Sequence, residues 1–187
     1  MREAEVIDLL RDRGALRTGH FLLSSGKHSP AYVEKARVFE RPESVILLGE
    51  AIAGRFERLE AVVSPAVGAL PMGFAVAAAA GARFLYAERD EGRMALRRGF
   101  RLGPGERTLV VEDVVTTGGS AAEVFGLVRE SGAEPLGVAA LVDRSTAELP
   151  FPFVALARVE AAVFDPDACP LCADGAPLES PGSRHLS

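Results

Sequence analysis

VVEDVVTTGGS, residues Val110 to Ser120, has the pattern of a buried strand running into a ligand-binding loop and then a helix. An apolar run ends in two adjacent acids, Glu112 and Asp113. Two valines follow, then Thr116, Thr117, Gly118, Gly119 and Ser120, and then the helix-like AAEVFGLVRE. Small residues let backbone amides approach an anion closely. A helix that starts just beyond them turns its positive end toward that anion. Ser120 and Glu123 fit the spacing of a capping box, S-x-x-E, which predicts Ser120 as the start of the helix.

Two carboxylates beside a phosphate cradle require a reason. Vicinal ribose hydroxyls provide one, because they donate hydrogen bonds to carboxylates, and such charge-assisted bonds are strong. A hard divalent cation provides another, since Mg²⁺ takes oxygen ligands and bridges phosphates. The chemistry therefore reads as ribose plus phosphate, with Mg²⁺ nearby and with Glu112 and Asp113 as its direct or indirect ligands. The bland reading of the same string is a buried strand, a polar turn and a capped helix. No G-x-x-x-x-G-K-[ST] occurs, and no G-x-G-x-x-G follows a strand, which argues against a P-loop or dinucleotide fold.

Outward from this motif, strand-like and helix-like stretches alternate. Helices are predicted at Glu3–Arg13, at Ser44–Phe56 after Pro42, at Gly73–Ala80 and at Ala121–Ser131. Strands are predicted at Phe21–Leu23, Ala31–Val38, Ala61–Ser64, Arg83–Glu88, Thr108–Val111, Leu136–Val142 and Phe153–Arg158, with Met94–Phe100 returning from Arg83–Glu88 as a hairpin. Ser24–Pro30 reads as a turn. Such alternation predicts an α/β fold, a mostly parallel sheet with helices on both faces, plus a small hood and hairpin region. Ligands in such sheets bind beyond the carboxyl ends of the strands. Ser64, Glu112 and Asp143 all fall at such ends.

The 187 residues, 48% hydrophobic, suit one domain with one core. Residues 1–165 read as that domain, with 1–40 as a hood-like segment and 166–187 as a tail containing the CPLC motif. No apolar stretch is long enough to span a bilayer, and no leader pattern opens the chain, so the expected location is cytoplasmic. A net charge of −5 argues against a nucleic-acid surface. Arg89, Arg93, Arg97, Arg98 and Arg101 nonetheless cluster, whereas the only lysines are Lys27 and Lys35. His28 reads as a solvated turn residue. Cys169 and Cys172 form half of a zinc site, with no histidine ligand nearby in sequence before His185. They are expected to be thiols with no catalytic role; a redox pair and a metal shared across a dimer are the alternatives. The tail from Asp174 is expected to be extended or mobile.

The Val110–Ser120 stretch resembles the binding motif for phosphoribosyl pyrophosphate (PRPP) in the type I phosphoribosyltransferase family. Three further segments narrow the resemblance to the family's orotate-specific members. GHFLLSSGKHSPAYVEKARV (Gly19–Val38) resembles their base-side segment, SPAVGALP (Ser64–Pro71) their pyrophosphate loop, and LVDRS (Leu141–Ser145) their arginine strand. The resemblance implies transfer of a phosphoribosyl group from PRPP to orotate. It implies that Glu112, Asp113, Val114, Val115, Thr116, Thr117, Gly118, Gly119 and Ser120 bind PRPP, helped by Arg89, Arg97 and Arg98. It implies that Thr116, Arg144, Lys27 and Tyr32 contact orotate, Arg144 as a planar fork facing a carboxylate. Glu112, Asp113, Lys27 and Arg89 would be the catalytic set, acting without a covalent nucleophile. The family also implies a homodimer whose lid crosses the interface, here Arg89–Phe100. The stretch around it, AERDEGRMALRRGF (Ala87–Phe100), departs from relatives that carry lysines and a histidine there, and arginine does not readily release a proton. A phosphoribosyltransferase for another base and a PRPP-binding regulatory module are the competing readings. Asp113→Asn is expected to lower turnover far more than stability, on the expectation that Asp113 sits at a polar strand end outside the core.

Overall fold

A computed structural model describes residues 1–23 and 25–181. The chain divides into two compact units, one of Met1–Val6 with Arg41–Val159, the other of Ile7–Glu40 with Glu160–Ser187. Ser24, His185 and the last stretch of the predicted tail, 182–187, lie outside the described residues.

The first unit is built on a six-stranded sheet. Its strands are β3 (Ala61–Pro65), β4 (Arg83–Asp90), β5 (Arg93–Leu96), β6 (Arg107–Val115), β7 (Glu134–Asp143) and β8 (Phe153–Arg158), in the order β5-β4-β3-β6-β7-β8. All neighbours run parallel except the β4–β5 hairpin at one edge. The α/β class and the hairpin are as the alternation predicts. Strand β3 is buried throughout, the pattern of a strand covered on both faces. The hairpin turns at Glu91 and Gly92, both with positive φ (47° and 85°), which matches the right-handed twist of the strands they join.

Alternate residues of the strands feed two cores. Ala61, Val63, Leu85, Ala87, Val110 and Val138 pack with Ala121, Val124 and Val128 of α5 (Gly119–Glu130). Full burial of each valine or leucine contributes about 1.5–3 kcal/mol. The opposite face carries Ser64 and Phe84, and there α4 (Leu70–Ala80) lies so close that a side chain at Gly73 has no room. Helix α4 begins with Pro71 in its first turn and ends at Gly81, whose φ of 66° is the left-handed C-terminal cap that an alanine-rich helix needs to stop. Beside it runs α3 (Pro42–Ala53), where Gly49 faces the backbone of Ala75.

Ser64 Oγ is buried and, among the described residues, has no hydrogen-bond partner. An unsatisfied buried hydroxyl costs about 1–3 kcal/mol. Ser64→Ala is therefore expected to leave the thermal midpoint unchanged or to raise it. A clear fall, measured by calorimetry, would mean that the hydroxyl is satisfied in solution.

The second unit holds most of α1 (Glu3–Asp12), the antiparallel pair β1 (Leu16–Leu22) and β2 (His28–Val33), the short helix α2 (Ala36–Phe39), a single 3₁₀ turn at Pro166–Ala168 and α6 (Pro170–Ala173). Several expectations are corrected here. The strand predicted over Ala31–Val38 ends at Val33, because the backbone winds up again with Arg37, Val38 and Phe39 donating to Glu34 and Lys35. The turn expected to run to Pro30 is shorter, and His28 lies on β2, where it is buried. The C-terminal segment from Asp174, expected to be extended or mobile, is tied to β1 by a parallel bridge between Phe21 and Glu179. Its backbone hydrogen-bonds to β1, with Glu179 N–H donating to His20 O and Leu22 N–H to Glu179 O.

Candidate functional site

Strand β3 leads through α4 to β4 on one side, whereas β6 leads through α5 to β7 on the other. The direction of winding thus reverses between β3 and β6, and a crevice opens at the carboxyl ends of strands at such a point. The registers show it. Pairing of β3 with β6 runs from Ala61↔Thr108 to Val63↔Val110, while pairing of β6 with β7 continues to Val115↔Asp143. Glu112 to Val115 therefore project beyond the last β3 partner. At its carboxyl end strand β6 runs four residues beyond the predicted Thr108–Val111, because β7 supplies its partners as far as Asp143.

A cleft of about 270 Å³ lies there, lined by Glu112, Val114, Val115, Thr116, Thr117, Gly118, Gly119, Ser120 and Ala121. Thr116, Thr117 and Gly119 are exposed. The amides of Gly119, Ser120 and Ala121 open α5, so they have no acceptor within the helix and face an incoming anion together with its dipole. Gly118 makes this possible. Its φ of 73° is left-handed, and a side chain there would press on Leu149 and Phe151. The predicted capping box does not form. Gly118 is the N-cap, no side chain caps the helix, and Glu123 instead receives two hydrogen bonds from Arg89, at 2.8 and 2.9 Å.

The two acids differ. The half-buried Glu112 lines the cleft, and its Oε2 accepts Asp113 N–H at 3.1 Å. Asp113 is only 4% exposed, and its Oδ1 accepts Val114 N–H at 2.6 Å. The expectation of a polar strand end outside the core is corrected for Asp113, since successive strand residues point to opposite faces. The carboxylate and hydroxyl oxygens of Glu112, Thr116, Thr117 and Ser120 form an all-oxygen donor set, the kind a hard divalent cation takes.

Arg144 and Thr116 leave adjacent strands at one level, each just after the Val115↔Asp143 pair, with Arg144 N–H donating to Val115 O at 2.8 Å. Asp143 is not engaged by its neighbour in sequence. Its Oδ2 accepts Arg158 Nη1 at 2.9 Å and its Oδ1 accepts Ser145 N–H at 2.7 Å. Beyond β3, the Ser64–Pro71 loop is anchored by Ala66 N–H donating to Ala87 O.

Three of the clustered arginines each hold a carboxylate in the hairpin region. Arg89 pairs with Glu123, Arg97 with Asp90 at 2.9 Å, and Arg98 with Glu88 at 2.9 Å. The guanidiniums hold the Glu123 and Glu88 carboxyls below their ordinary pKa. All three pairs reach solvent, which screens them and leaves each weak. Leu96 and Phe100 pack against the α5-side core. In the second unit, Lys27 sits in the β1–β2 turn, 3.2 Å from Asp165, and the Tyr32 ring lies 5.7 Å from that of Phe21. The sequence reading missed the burial of His20 and His28, which face each other at 2.9 Å. Their spacing of eight along the chain is the one signal it offered.

No family model matches the chain. Similar sequences are nonetheless plentiful. It is 49% identical over 183 residues to the orotate phosphoribosyltransferase of Thermotoga petrophila, covering 96% of this chain and 98% of that one. It is 46% identical over 191 residues to the orotate phosphoribosyltransferase of Desulforamulus reducens, each covered in full. Its fold is similar to the crystal structure of orotate phosphoribosyltransferase from Aeropyrum pernix, with a TM-score of 0.71 and 28% identity over 82% of this chain and 93% of that one.

Proposed function

The chain belongs to the orotate phosphoribosyltransferase family, and on that premise we propose how its own residues carry out the reaction. The reaction joins orotate to PRPP and gives orotidine 5′-monophosphate and pyrophosphate, a step of pyrimidine nucleotide biosynthesis.

The observation that carries the assignment of roles is the cleft at the winding reversal, with one carboxylate on its wall and the start of α5 at its floor. The 5′-phosphate docks on the amides of Gly119, Ser120 and Ala121 and on the hydroxyls of Thr116, Thr117 and Ser120. Glu112 accepts hydrogen bonds from the ribose hydroxyls, and Asp113 adds negative charge behind it. Positive charge develops at the anomeric carbon as pyrophosphate leaves, as in other glycosyl transfers. Carboxylates held in place before the reaction stabilise that charge without reorganising. Glu112 and Asp113 would hold Mg²⁺, directly or indirectly, and the ion would supply charge neutralisation to the departing pyrophosphate.

Arg144 and Thr116 present a guanidinium and a hydroxyl side by side at the strand ends, a fit to the carboxylate and ring carbonyls of orotate. Resemblance to the family adds Lys27 and Tyr32, on the β1–β2 pair of the second unit, as contacts to orotate. Arg89, Arg97 and Arg98 exchange their exposed carboxylate partners for pyrophosphate, so the segment Arg89–Phe100 acts as the lid that keeps water from the activated sugar. A homodimer is supported by the exposed apolar side chains Ile46 and Leu47 on α3 and Phe74 on α4. No helix among the described residues is long and apolar enough to cross a membrane. The cytoplasm is the proposed location, supported by two cysteines that are not bonded to each other.

The test is orotate consumption followed by ultraviolet absorbance, with PRPP and Mg²⁺, against a panel of other bases. Orotate alone among the bases is expected to be consumed, with one pyrophosphate released per turnover. Turnover of hypoxanthine or adenine but not orotate would overturn the base assignment. PRPP binding without pyrophosphate release would replace it with a regulatory role.

A further inference from the structure

We propose that His20, His28, Cys169 and Cys172 form a structural zinc site. Their ligating atoms all lie within 4.8 Å of one another. His20 Nε2 is 2.9 Å from His28 Nδ1, 3.5 Å from Cys169 Sγ and 3.7 Å from Cys172 Sγ, and Cys172 Sγ is 3.3 Å from His28 Nδ1. A tetrahedral zinc with its usual bond lengths spaces two nitrogens about 3.3 Å apart, a nitrogen and a sulfur about 3.6 Å, and two sulfurs about 3.8 Å. Four of the six separations, 2.9 to 3.7 Å, thus lie within about 0.4 Å of those edges, and the remaining ones, within 4.8 Å, close on the ion as it binds.

The surroundings fit the same reading. His20 Nδ1 lies 3.0 Å from Ala176 O. A proton on Nδ1 donates to that carbonyl and leaves Nε2 as a lone pair aimed at the cluster, the second-shell arrangement usual for a metal-bound histidine. His20, His28 and Cys169 are buried and Cys172 is at the surface, which gives an ion a route in. The CPLC turn places its two sulfurs on one side of the short helix α6, and Ala173 N–H donates to Cys169 O to close that turn. On loading, the two thiols release their protons to solvent. Two sulfurs and two imidazole nitrogens select zinc over harder cations, and four protein ligands leave no open position for catalysis.

The site has a mechanical task. It ties β1 and β2 to the C-terminal segment within the second unit, whose buried apolar side chains are few: Leu10, Ala15, Phe21, Val33 and Val38. Units with so small a core commonly depend on a metal or disulfide staple. The sequence places no histidine near the CPLC turn before His185, and it is the fold that brings His20 and His28 to it.

Elemental analysis of the full-length protein purified without chelator is expected to find about one zinc per chain. Removing it should lower the melting temperature of the second unit's transition, and adding zinc back should restore it. The stripped protein titrated with Co²⁺ should develop the d–d bands of tetrahedral cobalt and a thiolate charge-transfer band. Cys172→Ser should lose the charge-transfer intensity in part and the zinc by at least about tenfold. If that variant does not fold, the cobalt spectrum of the unmodified chain decides. Protein that purifies without zinc, gives no tetrahedral cobalt spectrum and melts identically with and without chelator overturns the proposal. So does a Cys169–Cys172 disulfide in protein kept reduced during purification.

Discussion

Glu112→Gln is expected to lower kcat about 100-fold, the scale of one preorganised charge lost from the transition state. The side chain keeps its size and one carbonyl oxygen, so Asp113 N–H retains an acceptor, and the variant should melt within about 2 °C of the parent, as half-buried polar replacements usually do. The KM for PRPP should rise far less than kcat falls, because the carboxylate matters most when the ribose carries positive charge. Asp113→Asn should show a comparable fall in kcat accompanied by a measurable loss of stability. Its carboxylate is buried and accepts Val114 N–H, and the amide has one oxygen where the carboxylate had two. Steady-state kinetics and thermal melts of the two variants side by side separate the roles. Equal catalytic losses fully explained by unfolding would remove both acids from the reaction.

Gly73→Ala is expected to cost about 3 kcal/mol of stability, at the upper end of overpacking costs. A Cβ at Gly73 would overlap Ser64 Oγ and lie 2.7 Å from Phe84 Cε2. Neither neighbour can give way cheaply, since Ser64 belongs to a fully buried strand and Phe84 is packed against Phe74, with ring centroids 5.9 Å apart. Helix α4 would have to lift away from β3 and β4, carrying with it the Ser64–Pro71 loop from which it starts. Activity should therefore fall together with the melting temperature, the opposite of the Glu112→Gln result. Adding Ser64→Gly to Gly73→Ala should recover part of the loss, because it removes one of the two clashing groups. A Gly73→Ala protein as stable as the parent would mean that the α4–β3 spacing is wider in solution.

The chemistry was legible in the sequence where it is contiguous. Glu112 and the threonines and glycines of Val110–Ser120 line one cleft because a strand, a tight turn and a helix N-terminus place these residues around one point. Periodicity was enough for the sheet, its helices and the hairpin, since each buries a face that repeats every two or three to four residues. Local pattern misled at the capping box. Ser120 and Glu123 have the right spacing, but Gly118 can take the left-handed turn that starts the helix earlier, and Arg89 draws Glu123 away. It misled again at Ala31–Val38, where a strand and a short helix share one apolar run.

By itself, then, the sequence determined the α/β class, the stretch that lines the cleft and the family. Those depend on neighbours in the chain, whose geometry the backbone dictates. Only the tertiary structure decided which acid faces the cleft, which arginines are already paired, and that His20 stands 3.5 Å from a cysteine 149 residues away. Contacts of that kind arise from strand register and from the return of a distant segment. They are set by how whole elements pack, which no local spacing records.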